Sequence, residues 1–136
     1  MYSENNMRSE IMVNAIFSIK PQYAHALMDG TKKYEYRKKM PKRRINKIYV
    51  YSTAPDKKVI GYFTVKKIHQ ADPLKIWMDT WENGCVSFDD YELYFQNNDV
   101  AYAIEVDEYF KYDTPKVYIE IDETNKVPRS IKYMKV

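Results

Sequence analysis

Three polar residues that lie close together in the sequence, Lys32, Glu35 and Arg37, have side chains suited to a chemical site. They follow Gly30, which is positioned to end a short helix, so they fall on a turn and the strand after it. Glu35 and Arg37 are two residues apart and would share one face of that strand. An arginine binds a carboxylate or a phosphate through two parallel hydrogen bonds. A lysine can donate to a phosphate, or lose its proton when shielded from water and act as a base.

A purely structural role is the alternative for these residues. Glu35 and Arg37 can form an ion pair on an exposed face, which contributes only about 0 to 1 kcal/mol to stability. Burial of the pair would be costly unless it served a site. We therefore treat Lys32, Glu35 and Arg37 as binding candidates, and Lys32 and Glu35 as catalytic candidates only if the protein is an enzyme.

The positive charge of the chain is concentrated in one segment. Residues 32–67 contain thirteen lysines and arginines and two acidic residues, whereas the rest of the chain has nine basic and seventeen acidic residues. The cations of the loop after Arg37 are Lys38, Lys39, Lys42, Arg43 and Arg44. Such segregated charge attracts an anionic partner, and nucleic acid is the commonest one. The alternative is a solvated, lysine-rich surface without a partner.

Tyrosine is unusually abundant, with fourteen residues in a chain of 136. A tyrosine ring can stack on an unpaired base, and we take Tyr36, Tyr49 and Tyr51 as candidates for that role. The hydroxyls of Ser52 and Thr53, in the turn after Tyr51, could meet the same ligand. Packing within a sheet is the alternative for these rings, because tyrosine suits half-buried strands.

Composition excludes several classes of site. The single cysteine, Cys85, cannot form an internal disulfide, and two histidines are too few for a structural zinc site. We expect no metal and no cofactor. No apolar run approaches the roughly 20 residues that cross a bilayer, and residues 1–10 are polar, unlike a signal peptide. We therefore expect no membrane association and a cytoplasmic protein, and the oligomeric state stays open.

Apolar alternation predicts strands, and helical spacing predicts helices. The predicted strands are residues 15–19, 33–37, 47–53, 59–68 and 100–106, with extended portions at 117–121 and 131–134. Helices are predicted to begin at Pro21, at Asp72 and after Ser87, and Asn83-Gly84 ends the second one. One apolar stripe on the second helix predicts that its tryptophans are core residues. The stripe consists of Leu74, Trp77, Met78 and Trp81.

The helices interrupt a sheet rather than alternate with single strands, which disfavours a doubly wound fold. We predict an α+β fold, a small mixed β-barrel of about six strands with about three short flanking helices. Residues 1–12 are predicted to be a flexible tail. Residues 13–136 are predicted to form a single domain, which is long enough to bury a core.

The pattern G-x-K-x-x-E-x-R, formed by Gly30, Lys32, Glu35 and Arg37, resembles the signature of the ASCH domain family in the PUA-like superfamily. The strand and helix before the glycine, the hydroxyl-bearing turn after the basic loop, and the Pro-Arg-Ser segment at 128–130 agree with it. The resemblance implies a PUA-like barrel with a cleft lined by the motif. It also implies an activity connected with RNA: binding, a coactivator or transcriptional regulatory role, or enzymatic action in some members.

Two enzymatic activities of the family are relevant. Some members are similar to ribonucleases, and some small bacterial members hydrolyse the acetyl group of N4-acetylcytidine with a lysine, a threonine and a glutamate. In the second group the lysine matches Lys32 and the threonine stands where this chain has Glu35, with Thr31 and Thr53 nearby in sequence.

RNA binding, or binding of another nucleic acid, is our first hypothesis. It places a nucleotide or unpaired base in the motif cleft and the basic loop on the phosphates. A ribonuclease or an amidohydrolase acting on acetylated cytidine is the second. A protein-interaction module, in which acidic residues 99–113 meet a basic partner, is the third.

Overall fold

The computed structural model describes residues 12–40 and 43–135, and these contain one sheet of six strands. The strands are β1 Met12–Ile19, β2 Tyr34–Arg37, β3 Arg44–Ser52, β4 Lys58–Ala71, β5 Ala101–Lys116 and β6 Ile131–Lys135. Their order across the sheet is β2-β5-β4-β3-β1-β6. β1 and β3 are parallel, and every other neighbouring pair is antiparallel.

Three short α-helices connect the strands, together with two single-turn 3-10 helices. They are α1 Pro21–Met28, α2 Pro73–Thr80 and α3 Phe88–Tyr94, with the 3-10 helices at Trp81–Asn83 and Tyr118–Glu120. The side chain of Asp72 caps α2 by accepting from the N–H of Lys75 at 3.0 Å. Ser87 caps α3 in the same way, through the N–H of Asp90 at 3.1 Å. The predicted helix starts are therefore confirmed.

The core lies where α1 packs on the sheet. Its fully buried members include Phe17, Leu27, Ile48, Phe63 and Ile104, which come from α1 and four strands. Burial of such side chains is the main favourable contribution to folding. Because α1 is fixed in this way, the turn at its end is held beside β2.

The sheet is not closed into a barrel within the described residues, since β2 and β6 are its two edge strands. One side chain crosses the open seam between them. Arg37 in β2 donates to the hydroxyl of Ser130, just before β6, at 2.8 Å, and to the carbonyl of Ser18, in β1, at 3.3 Å. The predicted α+β class with six strands and three helices is confirmed, and the predicted barrel is an open mixed sheet whose edges meet at Arg37.

Two predicted segments differ most from the structure, and the strands predicted at 15–19, 47–53 and 59–68 differ from it by up to three residues at their ends. β5 continues past residue 106 to Lys116, because it pairs with β4 through several register shifts that keep the long ladder intact. Residues 117–121, expected to be extended, contain the 3-10 helix Tyr118–Glu120. Residues 1–11 of the expected tail lie outside the described residues, and Met12 begins β1. No helix in the described ranges is long and apolar enough to span a bilayer.

The expected core position of the α2 stripe is wrong for three of its four residues, and only Trp77 is half-buried against the core. Leu74, Met78 and Trp81 are exposed, whereas Ile76 and Thr80 are the buried residues of the helix. Helical spacing identifies an apolar face, but it does not decide which face meets the sheet. Here Ile76 packs in the core cluster and the Thr80 hydroxyl is hydrogen-bonded to Tyr36, so the opposite face points inward.

A buried carboxylate ties the 3-10 helix Tyr118–Glu120 to β6. Asp122 accepts hydrogen bonds from the Tyr118 hydroxyl at 2.7 Å, the Lys132 amine at 2.7 Å and the Thr124 hydroxyl at 2.9 Å. Burial by itself would raise the pKa of Asp122. The hydrogen bonds from these three neighbours outweigh burial and lower the pKa to about 2.

We expect Asp122→Asn to lower the free energy of unfolding near neutral pH by about 2 kcal/mol, because charged hydrogen bonds become neutral ones. The native pKa of Asp122 lies below the unfolded value of about 3.9. The wild-type chain should therefore lose this stabilisation as pH falls from about 4 to about 2, and the variant should not. Urea denaturation across that range measures both effects. Glu120→Gln, which changes an exposed carboxylate nearby, is the control, and a variant with the wild-type acid dependence would contradict this role of Asp122.

Candidate functional site

A cavity of about 500 Å³ opens where β1 ends and α1, β2 and α3 come together. Lys32, Glu35 and Arg37 all lie in its wall, so the structure brings together the three residues that the motif singled out. The wall also carries four tyrosines, Tyr23, Tyr36, Tyr91 and Tyr94. Aromatic walls with a few convergent polar groups are typical of sites for organic ligands.

Lys32 is placed by the end of α1. Gly30 has a φ of +87°, a conformation that other residues rarely adopt, and the N–H of Lys32 donates to the carbonyl of Ala26 at 3.0 Å. This closes the helix terminus and directs the lysine side chain into the protein. Lys32 is only 1% exposed as a result.

The amine of Lys32 has a carbonyl and two aromatic rings as neighbours. It donates a hydrogen bond to the carbonyl of Gly84 and lies 5.2 Å and 4.8 Å from the ring centres of Tyr23 and Tyr36. Ring faces attract a cation. Burial lowers the pKa of Lys32, and the nearby Glu35 carboxylate only partly offsets that effect. The amine is therefore a positioned donor that loses its proton more readily than an exposed lysine does.

Glu35 and Arg37 form a buried ion pair. Nε and Nη2 of Arg37 lie 3.1 Å and 3.0 Å from Oε2 of Glu35, and the side chains are 9% (Arg37) and 8% (Glu35) exposed. An ion pair on an exposed face is therefore the wrong interpretation. The other guanidinium contacts of Arg37 are Ser130, Ser18 and the ring of Phe17 at 4.5 Å. Among the described residues only Oε2 of Glu35 is hydrogen-bonded, which leaves Oε1 for a ligand.

Gly84 completes the site, although in the sequence it only marked a helix end. The Thr80 hydroxyl donates to the carbonyl of Ile76 at 2.6 Å, so Tyr36 is the donor in its 2.7 Å hydrogen bond to Thr80. Burial raises the pKa of Tyr36 to about 12, which keeps this hydroxyl neutral. A Cβ at Gly84 would overlap the Tyr36 hydroxyl. The carbonyl of Gly84 thus accepts a hydrogen bond from Lys32, and the absence of a side chain at Gly84 leaves room for the Tyr36 ring beside the amine.

The wall contains few groups that could bind a metal ion. Its carboxylates belong to Glu35 and Asp90, and Glu35 is already paired with Arg37. In the part of the chain that the structure describes, no group of three or more histidine, cysteine, aspartate or glutamate residues could hold a metal ion. The hydrogen-bonding groups of an organic ligand match the wall better.

The described cations of the basic loop lie outside the cavity wall. Lys38 is at its margin, where its amine lies 4.6 Å from the ring centre of the wall residue Tyr94. Lys42 is outside the described residues. The exposed members further along the loop are Lys39, Arg43 and Arg44. Their contact with a ligand stays a prediction.

The residues at the end of β3 do not reach the cavity. Tyr51 packs edge to face on Tyr118, with ring centres 5.5 Å apart. Ser52 is buried and donates to Asp56 at 2.7 Å, and Thr53 is absent from the cavity wall. The side chains of Tyr51 and Ser52 support the sheet and its turn, and the structure does not bring them to the motif.

α3 supplies part of the wall that the sequence pattern did not single out. Its wall residues are Asp90, Tyr91, Leu93 and Tyr94. Tyr91 packs edge-on against Tyr36, with ring centres 5.0 Å apart, and so joins α3 to β2. The amphipathic pattern of α3 predicted the helix, but it carried no information about which strand the helix would meet.

We expect Arg37→Met to lower the free energy of unfolding by about 3 kcal/mol, because Glu35 stays buried without its partner and the seam between β2 and β6 opens. Lys32→Met should lower the free energy of unfolding by only about 1 kcal/mol. It removes one hydrogen bond, but it also removes the cost of burying a charged amine. Urea denaturation near neutral pH measures both variants. The control Lys33→Met changes an exposed neighbour and should stay within about 0.5 kcal/mol of the wild type. Equal effects of Arg37→Met and Lys33→Met would contradict the bridging role of Arg37.

Comparison with known proteins identifies the relatives of this chain. The family model of the ASCH domain matches residues 17–110. The ASCH domain-containing ribonuclease of Zymomonas mobilis is 31% identical over 90 residues, which are 65% of this chain and 61% of that protein. Large ribosomal subunit protein uL22 of Ureaplasma parvum is 29% identical over 121 residues, or 88% of this chain, and the chain spans 39% of its length.

The fold comparison points to the same relatives. The crystal structure of ASCH from Zymomonas mobilis has a TM-score of 0.82 to this chain at 26% identity, and the match covers 90% of this chain and 87% of that one. The segment matched by the family model includes the motif and α1 to α3. The chain therefore belongs to the ASCH domain family.

Proposed function

We propose that this ASCH domain binds RNA by taking one unpaired nucleotide into the cavity. The observation that supports this most strongly is the buried Lys32 amine, close to two tyrosine rings in the wall of an open cavity of about 500 Å³. Small-molecule sites usually measure about 300 to 1,000 Å³. Proteins that recognise RNA sequence read unpaired bases by stacking them on aromatic rings and hydrogen-bonding their edges.

The tyrosines of the wall differ in what they offer to a base. Tyr36 and Tyr91 pack on each other, and Tyr36 is only 6% exposed, so these rings form the wall itself. Tyr94 is 38% exposed and carries the amine of Lys38 over its ring. Tyr94 is therefore a better stacking residue than Tyr36, and Lys38 is placed for an adjoining phosphate.

Lys32 and Glu35 supply the polar contacts to the nucleotide. Oε1 of Glu35 is an acceptor, and it suits a base edge with an amino donor, such as that of cytosine. The amine of Lys32 can donate to a phosphate or to a ribose hydroxyl. These two groups together distinguish a nucleotide from a simple anion.

We expect a labelled single-stranded RNA oligonucleotide to bind the chain with an affinity that falls steeply as salt rises, because phosphate contacts release counterions. Lys32→Met should weaken binding at least about tenfold through loss of one charged donor. Arg43→Glu combined with Arg44→Glu should weaken binding and reduce the salt dependence. Fluorescence anisotropy at several salt concentrations measures each effect.

The matched control for the loop variant is Lys75→Glu combined with Lys126→Glu. It makes the same change of charge at two exposed lysines outside the basic segment, and it should bind nearly as the wild type does. Salt-independent binding, or equal weakening by both double variants, would contradict the role of the loop. Unchanged binding by Lys32→Met would contradict the role of the cavity.

RNA cleavage is a second candidate function, favoured by the environment of Lys32. Its pKa is lowered by burial, and the Zymomonas relative is named a ribonuclease. In cleavage by the 2′-oxygen, a base takes the 2′ proton as that oxygen bonds to the adjacent phosphorus. The bond from phosphorus to the 5′-oxygen then breaks, and the 5′-oxygen takes up a proton. A neutral Lys32 amine is suited to the role of the base.

Hydrolysis of N4-acetylcytidine has less support. Glu35 stands at the position of the threonine, and its Oε2 is bonded to Arg37. The hydroxyl of Thr31 donates to Asp29 at 2.6 Å on the surface. Among the described residues, no threonine lines the cavity.

If Lys32 is the base, the rate of cleavage of labelled RNA should rise with pH toward its lowered pKa, because only the neutral amine accepts a proton. Cleavage should be lost in Lys32→Met and retained in Lys33→Met, and the products should carry a 2′,3′-cyclic phosphate. Gel electrophoresis across a pH series measures the rate. Intact RNA at high protein concentration, with binding still detected by anisotropy, would reject cleavage and leave the binding function.

A further inference from the structure

An apolar patch with the half-buried Trp77 at its base lies on α2 and extends to the start of α3. Its members are Leu74, Trp77, Met78, Trp81 and Phe88, and none of them lines the cavity. Leu74, Met78 and Trp81 are 61%, 68% and 51% exposed. The rings of Trp77 and Trp81 stack with centres 6.4 Å apart, and Phe88 lies 5.2 Å from Trp77. The patch is therefore continuous.

A single exposed apolar side chain needs no explanation, but a cluster of this kind does. Ile76 and Thr80 are the buried residues of α2, and of the patch only Trp77 also packs on the core beneath the helix, so Leu74, Met78 and Trp81 are not needed to attach it. Tryptophan, phenylalanine and methionine are enriched at protein interfaces, and tryptophan is a frequent energetic hot spot. The patch is thus available to cover the apolar surface of a partner.

The charge around the patch indicates what kind of partner fits. Residues 72–92 contain six acidic residues and one basic residue, Lys75, which is paired with Asp79 at 2.8 Å. Glu82 and Asp89, each directly after a patch residue, are exposed. Negative charge of this density repels nucleic acid. It complements a partner whose lysines or arginines flank an apolar stripe.

We propose that the patch of Leu74, Trp77, Met78, Trp81 and Phe88 docks a basic amphipathic helix of a partner protein. The apolar stripe of that helix covers the tryptophans, and its cations face the acidic residues of segment 72–92. This interaction goes beyond RNA binding. The patch residues, and Glu82 and Asp89 beside them, do not line the cavity, so the two partners would contact different surfaces.

The tryptophans allow a direct test. The chain has only two, and both lie in the patch, so tryptophan emission reports on docking. Two synthetic helical peptides with the same leucine stripe, one with lysine and one with glutamate on the polar face, are titrated into the full chain. We expect the lysine peptide to shift the emission to shorter wavelength with saturation. The glutamate peptide should bind at least about tenfold more weakly.

Two double variants separate the apolar and the charged contributions. Leu74→Ser with Met78→Ser should weaken binding of the lysine peptide at least about tenfold. The double variant should leave Tm and RNA binding unchanged, because both side chains are exposed. Glu82→Lys with Asp89→Lys should largely remove the preference for the lysine peptide over the glutamate peptide. Ile119→Ser, which changes an exposed apolar residue elsewhere, is the control and should leave both peptides unaffected.

Three results of the peptide titrations would each overturn the proposal: no emission shift, equal affinity for the two peptides, or wild-type binding by the Leu74 and Met78 variant. Sedimentation of the chain alone addresses self-association. A dimer that disperses in the Leu74 and Met78 variant would assign the patch to a second copy of this chain, and it would also overturn the proposal. Loss of RNA binding in Lys32→Met has no bearing on these results.

Discussion

The site depends on the buried pairing of Arg37 with Glu35. A buried guanidinium needs a partner for its charge and for its N–H groups. Here those partners are Glu35 in β2, Ser18 in β1 and Ser130 just before β6. The hydrogen bonds that Arg37 needs therefore also hold the two edges of the sheet together. The cavity forms at that junction, which is why the same residues stabilise the fold and line the site.

The buried amine of Lys32 is stabilised by different groups from those around Arg37. Its amine has no carboxylate within ion-pairing distance among the described residues, and its close neighbours are the Gly84 carbonyl and two tyrosine rings. These groups compensate only part of the cost of burying a cation, and burial lowers its pKa accordingly. An anionic group that entered the cavity would supply the missing opposite charge and raise that pKa. The amine is therefore better satisfied with an anionic ligand than without one, as is common at functional sites.

The sequence predicted the features that depend on local signals. The caps of α2 and α3 depend on Asp72 and Ser87, and the motif is encoded within eight residues around β2. Gly84 was recognised only as a helix end, because its contact with Tyr36 joins segments that are remote in sequence. The α2 stripe was misplaced for a related reason. Spacing showed that one face is apolar, whereas the buried face carries Ile76 and Thr80, which contact residues remote in sequence.

If the cavity binds RNA as proposed, the charge around it would favour an unpaired strand over a duplex. On one side are β2 and the loop after it, with Lys38 at the margin over the ring of Tyr94. On the α3 side the wall contains Asp90, and the segment that leads into it is strongly acidic. A duplex presents phosphates of two strands, and one set would meet these carboxylates. A single strand can keep its phosphates on the cationic side and turn one base toward Glu35 and the tyrosines. Under the proposed function, this arrangement of charge would therefore disfavour duplex RNA before any base is contacted.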